Sequence, residues 1–539
     1  MSVRLFRSLV TMLSVALVAL GSASFAQEDD QLSIAFDASD LTTADPHFAA
    51  ATQDRAVADM VFNGLVRYRP GDITTFEPDL AVAWDVSSDG LTWTFHLREG
   101  VQCHPWNGND GYELTSQDVV YSLRKAADPD TSAYAGEYQG MSFEATGPYT
   151  VEISVPQPVS ESLMLPKVAD YSGGFVVCQQ AAEDLGQEAF ASNPVGTGPF
   201  MFSNYVPQQE TRLTANEAYF RGEPKLDGVT VRYMPSVSSR EAGLETGELD
   251  VIEGPPEQPW VESMQDREVG EVMVFGPGET ATLHFDTSTE PLGQLEVRRA
   301  LARCIDRSLV RATVGETVTD PLVSPVPPLL AGGMTEEEVG AEGLLYPLDR
   351  EAASQALADA GAEGFTTEVV VSERASYLAP MQNLQSQLTQ CGVQLDLRVV
   401  DHSTMHTLIR EDANQIVLYI AWRPNADVFL TRFYHSDSAV VTGDSPDTNF
   451  SHLGETDLNG DGDVESIDAI IERARGELDA DAQADAWREA QLDILDWAVA
   501  YPLYIKKLVF ARNTNVDFGY EIDSTLALYP QINEQTSLQ

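Results

Sequence analysis

Apolar and polar positions alternate over residues 92–97: Trp93, Phe95 and Leu97 fall on one side, Thr92, Thr94 and His96 on the other. This two-residue period predicts a β-strand with one buried face. The pattern changes at Thr115. A hydroxyl residue there is followed three positions later by Asp118, where a carboxylate can meet the free amides of a first helical turn, so a helix is predicted to start. In Val297–Arg307 the apolar positions recur three and four residues apart, which predicts an amphipathic helix. Gly196-Thr197-Gly198-Pro199-Phe200 reads as a tight strand-to-turn passage that side chains would block. It lacks the Gly-Lys-Ser/Thr that would make it a phosphate loop. Ser451–Thr456 is turn-like, and Ala469–Leu478 has the period of a helix.

The apolar run Leu9–Leu20 is different in kind. Arg4 and Arg7 precede it, and Ser24-Phe25-Ala26 follows with small residues where a signal peptidase reads, so cleavage is expected near Ala26. The run is too short to span a bilayer, which takes roughly 20 residues. No cysteine lies near the cleavage point to carry a lipid, and no other stretch is long and apolar enough to span. A protein free in a periplasm is expected, not embedded in a membrane.

Composition narrows the classes further. Chains beyond roughly 250–300 residues tend to split into domains, so 539 residues predict two lobes or more. With 43% hydrophobic and 22% charged residues the chain is expected to fold, not to stay disordered. The balance of sign is unusual: 84 acidic against 32 basic residues leave a net charge of −52. A phosphate backbone would be repelled, which argues against nucleic acid as a partner. The acidity fits a salty exterior in which charges are screened, with steering of a cationic ligand as the alternative. Four cysteines, Cys103, Cys178, Cys304 and Cys391, would meet an oxidising compartment, and their spacing leaves three pairings open. None forms a CxxC, so a zinc site is poorly supported.

Ordered motifs bring these features together. Leu80-Ala-x-x-Trp84, Asp89-Gly90, Thr94-Phe95-x-Leu97-Arg98-x-Gly100-Val101 and Asp118-Val119-Val120-Tyr121-Ser122 come first. Thr43-Ala44-Asp45-Pro46-His47 and Asn63-Gly64-Leu65 lie upstream. Ala215-Asn216-x-x-Tyr219-Phe220-Arg221-Gly222, Pro224-Lys225-Leu226-Asp227, Gly247-Glu248-Leu249-Asp250-Val251 and Pro502-Leu503-Tyr504 follow. In this order they resemble the family 5 solute-binding proteins of peptide and nickel ABC transporters. The resemblance implies an α/β, two-lobed periplasmic binding protein (type II, cluster C) with an extra subdomain inserted in the first lobe. It places the first lobe's core at 27–65, 191–272 and 509–539, the inserted subdomain at 66–190 and the second lobe at 273–508. The family layout also implies the pairings Cys103–Cys178 and Cys304–Cys391. The implied function is non-enzymatic: a monomer that closes on an oligopeptide-like solute and presents it to membrane permease subunits. A nickel chelate, an opine or an oligosaccharide is the alternative cargo.

The resemblance also nominates a site. Trp422, Arg423, Asn425 and Asp427 lie in the second-lobe loop that supplies an aromatic residue and a carboxylate for a peptide's free amine, but Asn425 stands where those members carry aspartate. Asn425 can accept from an ammonium without neutralising it. Asp427 is the substitute, and Arg423 either holds a ligand carboxylate or pairs with Asp427. Ala50, Ala51 and Thr52 occupy the first-lobe loop that offers backbone groups to an extended ligand.

Independently, Asp457, Asn459, Asp461, Asp463, Glu465 and Asp468 follow the spacing of a calcium loop with Gly462 at its turn, which resembles a single dockerin-type repeat. A structural Ca²⁺ is expected there, although Asp468 is shorter than the usual closing glutamate. His402 and His406 lie four apart without a visible third ligand. No GxSxG elbow supports a hydrolase. A secreted hydrolase or calcium-dependent adhesion protein is the rival class.

Overall fold

The computed structural model describes residues 30–458, 462–525 and 527–539. The expected signal cleavage lies outside these, as do Asn459 and Asp461 of the expected calcium loop. Among the described residues no helix is long and apolar enough to cross a membrane.

One nine-stranded sheet runs through both halves of the molecule. Its order is Ile416–Ala421, Glu271–Phe285, Ala500–Arg512, Val251–Glu253, Gln31–Phe36, Gly228–Tyr233, Glu210–Ala215 and Phe200–Val206, with Thr319–Pro321 added on Ala500–Arg512. Gln31–Phe36 is parallel to both of its neighbours, the α/β arrangement the resemblance implied. Two long antiparallel strands, Glu271–Phe285 and Ala500–Arg512, belong to both lobes. Residues 510–512 pair with Val251–Glu253 in the first lobe. Residues 280–285 pair with Ile416–Ala421, and 504–506 with Thr319–Pro321, in the second. Between these halves the register slips from Phe275/Leu508 to Glu279/Lys506. The extra residues on one strand form a bulge, which bends a strand and interrupts its ladder. Gly278 sits in it at φ +66°, and a Cβ there would lie 1.8 Å from the Lys506 carbonyl oxygen. Only glycine fits both that conformation and that approach. The expected boundaries at 272/273 and 508/509 fall inside these two crossing strands.

Within 66–190 a separate antiparallel sheet has the order Ala81–Val86, Thr92–Leu97, Thr150–Ser154, Ser142–Gly147. Trp93, Phe95 and Leu97 are buried and their neighbours are not, as the alternation predicted. The helix Ser116–Ala126 packs on this sheet. Thr115 caps it with Asp118 in a reciprocal box, which satisfies two N–H groups that a helix start leaves open. Cys103–Cys178 closes this region. Cys304–Cys391 joins the end of the helix Leu295–Cys304 to the chain after Ala375–Thr389. Gly196 and Gly198 are needed for close approach: their Cβ atoms would meet the carbonyls of Val61 and Met60 at 2.2 and 2.5 Å.

One difference from the simple pattern stands inside Leu295–Cys304. Arg298 is fully buried and donates to the carbonyls of Leu292 (2.7 Å), Gly293 (2.9 Å) and Trp497 (3.0 Å). A buried guanidinium is tolerable only when its donors are met, and here loop carbonyls meet most of them.

Candidate functional site

The lobes face each other across a cavity of about 690 Å³. Its first-lobe wall comes from Arg55 and from the 66–190 region that carries the separate sheet, including Tyr134, Met141, Leu163, Met164, Lys167 and Tyr171. Its second-lobe wall comes from Trp422, Arg423, Asn425, Asp427, Arg432 and Arg475. Tyr171 and Trp422 meet edge to face across it, ring centroids 5.7 Å apart. Ser160 of the same region also donates to Gln483 Oε1 of the second lobe at 3.0 Å. The two halves are therefore in contact around the cavity.

Local structure determines what each wall residue does. Asn425 precedes the helix Ala426–Tyr434, and its Oδ1 accepts from the Val428 N–H at 3.0 Å. Asparagine is among the strongest N-caps, so the carbonyl expected to face a ligand ammonium is already engaged. Asp427 is not free to replace it. Its carboxylate pairs with Arg475, Nε to Oδ1 at 2.8 Å, because the helix Asp468–Gly476 brings that arginine alongside. The anticipated Arg423–Asp427 pair does not form. Instead the Arg423 guanidinium lies over the Phe433 ring at 4.7 Å and donates to the Trp422 carbonyl at 2.8 Å. Burial holds its pKa below the ordinary arginine value. Ala50, Ala51 and Thr52 lead into and open the helix Thr52–Val61 without lining the cavity. One turn on, Arg55 reaches it, with its guanidinium 5.1 Å from the Tyr171 ring centroid.

The wall is rich in cations for so acidic a chain. Lys167 pairs with Glu137 (3.1 Å), Arg475 with Asp427, and Arg432 with Asp447 (3.4 Å). Among the described residues no carboxylate lies within ion-pair distance of Arg55 or Arg423. The buried Nε–H groups of both, and the indole N–H of Trp422, have no acceptor. Arg55 and Tyr171 escaped sequence reasoning. Arg55 follows the nominated loop by one helical turn, but Tyr171 sits in a segment with no periodic signal.

Two further expectations concern metals. Of the loop 457–468, Asp457 Oδ2 accepts from Gly462 N–H at 2.8 Å and Glu465 accepts from Leu458 N–H at 2.5 Å. Asp468, expected to close the loop, turns away: its two oxygens accept from the Ser436 N–H (3.0 Å) and hydroxyl (2.5 Å). It therefore does not fit as a closing ligand. His402 and His406 bring ring nitrogens to 3.3 Å, and burial, followed by the charges of His402 and Arg410, lowers His406 to about 4. Among the described residues no three His, Cys, Asp or Glu gather as a metal site.

The model of bacterial extracellular solute-binding proteins, family 5 (middle), matches residues 75–440, more than half the chain. The chain belongs to this family. As a family 5 member it is a solute-binding protein, and the hydrolase or adhesion alternative is not favoured. Di/tripeptide-binding protein 4 of Pseudomonas aeruginosa is 27% identical, covering 96% of this chain and 97% of that one. The structure of MoaA in complex with mannopinic acid, from A.tumefacien R10, is 34% identical at TM-score 0.76, over 95% of this chain and 100% of MoaA. The ABC transporter-associated periplasmic binding protein DppA from Helicobacter pylori, in complex with the peptide STSA, shares the fold. It is 23% identical at TM-score 0.73, over 94% of this chain and 98% of that one.

Proposed function

We propose that this family 5 protein is the periplasmic receptor of an ABC importer, that it captures a peptide-sized solute between its lobes, and that the closed form is what the permease reads. The observation that carries this is a cavity walled by both lobes, between which the chain crosses on two paired strands. Its volume of about 690 Å³ lies within the roughly 300–1,000 Å³ of small-molecule sites. A solute that touches both walls stabilises only the closed arrangement, and such differential contact is what shifts an opening equilibrium. The full-length relatives named for di- and tripeptides support a peptide as cargo.

Native mass spectrometry of protein recovered from the periplasm tests this, together with small-angle scattering before and after unfolding and refolding to strip cargo. An adduct of peptide mass, with a smaller radius of gyration in its presence, is expected. A stripped protein whose scattering ignores every added peptide would overturn it. Sequencing of the mature N-terminus should begin near Gln27.

The oxygen spacing of Asp457, Asn459, Asp461, Asp463 and Glu465 supports a second proposal, a structural Ca²⁺ in this loop, held without Asp468.

A further inference from the structure

Resting on the receptor proposal, we infer that the solute is an organic anion, with a carboxylate gripped between Arg55 of the first lobe and Arg423 of the second.

Charge is the starting point. In a chain with 84 acidic and 32 basic residues a guanidinium readily finds a carboxylate, and the other three cations of this wall have done so. Arg55 and Arg423 have not. They are held instead by aromatic faces, Tyr171 and Phe433, at 5.1 and 4.7 Å. Cation–π contact fixes a guanidinium in place and leaves its charge uncancelled. Both acids in the lining, Glu137 and Asp427, are already paired, so the uncompensated charge of the described wall is positive. The long-range field of a protein with net charge −52 disfavours an anion. Retention of two uncompensated arginines at the lobe interface therefore selects locally against that field.

Hydrogen bonding agrees. The wall is built on donors: behind its surface the buried Nε–H groups of Arg55 and Arg423 and the indole N–H of Trp422 find no acceptor in the protein. Arginine and tryptophan side chains only donate, so the complementary ligand edge is rich in acceptors. Asn425 spends one of its two carbonyl lone pairs on its helix cap and carries no charge, so it is a weak partner for an ammonium. The remaining wall is apolar at Met141, Leu163 and Met164, which suits a carboxylate on an organic body better than an inorganic oxyanion. A carboxylate between arginines from opposite lobes would also be a contact made only on closure.

The test compares acids with their neutral amides on the full chain freed of cargo. The probes are alanyl-alanine, its C-terminal amide and mannopinic acid, titrated calorimetrically into the parent, Arg55→Gln and Arg423→Gln. Charge-assisted, bidentate contacts predict that an acid binds the parent about ten- to a hundredfold more tightly than either variant, and that the amide is equally weak on all three. Arg423→Lys should fall between parent and Arg423→Gln. Unchanged melting temperatures would show that the variants fold. If an acid binds parent and both variants alike, or the amide matches the acid, the inference fails and the receptor proposal stands. If none of the probes binds the parent, the inference is overturned, and the receptor proposal is judged by its own scattering test.

Discussion

Asp427 and Arg475 form an ion pair at 2.8 Å in the wall of the cleft, 48 residues apart in the chain. The carboxylate that the sequence offers for a ligand amine is thereby neutralised by the protein itself. Removing one member of a partly buried pair leaves the other charge without its partner, so the pair ties Ala426–Tyr434 to Asp468–Gly476 more than it serves recognition.

Asn425 is a cap, and its substitutions should behave as cap substitutions. Asn425→Ala should cost about 0.5–2 kcal/mol of stability, whereas Asn425→Asp should be nearly neutral. Urea denaturation of the three proteins checks this. Equal loss in both variants would indicate a role beyond Val428.

Each disulfide should matter. Cys103–Cys178 and Cys304–Cys391 close separations of 75 and 87 residues. Replacing either pair by serine should lower stability by about 2–5 kcal/mol by freeing the unfolded chain. Guanidinium midpoints measure it, and a midpoint unmoved by one replacement would show that pair to be dispensable.

At the crossing strands, Gly278→Ala combines a left-handed backbone with a clash against the Lys506 carbonyl. The backbone term alone is roughly 1–2 kcal/mol. Thermal melts should show at least that loss. The neighbouring Gly276, where a Cβ meets nothing, should tolerate alanine better.

His452 predicts a pH dependence on the alkaline side. Burial pulls its pKa down, but the carboxylates of Asp412 (Nε2 to Oδ1, 3.4 Å) and Glu455 (hydrogen-bonded, Nδ1 to Oε2, 2.7 Å) more than reverse this and raise it to about 9. A base whose folded pKa exceeds the unfolded 6.5 adds stability that is complete below pH 6.5 and lost as pH rises through about 9. Melting temperatures across that window should fall in the parent with a slope that His452→Gln lacks. Parallel curves would refute the assignment.

For the loop 457–468, calcium titrated into the parent should give heat that Asp461→Ala abolishes. Asp468→Ala should keep the heat, since Asp468 holds Ser436 instead. Equal heats from parent and Asp461→Ala, or none from the parent, would withdraw the calcium proposal.

The family, the α/β lobes and the capping box at Thr115 were legible in the chain because their causes are local or ordered along it, whereas both disulfide pairs, 75 and 87 residues apart, were legible only through the family resemblance. Alternation at 92–97 needs one buried face, Asp118 meets amides three residues away, and glycines at Gly196 and Gly198 declare close packing before the partner is known. Side-chain roles in the cleft were not legible. Whether Asn425 greets a ligand or caps a helix, and whether Asp427 is free or claimed, depends on which groups arrive from distant segments. Arg475, Tyr171 and Ser436 come from elements whose separation in sequence carries no periodic trace. Hydrophobic pattern is a property of neighbours along the chain and so determined the elements. Charge and hydrogen-bond pairing are settled by distance in space, and only the tertiary structure decided that two arginines would face the cleft without a carboxylate.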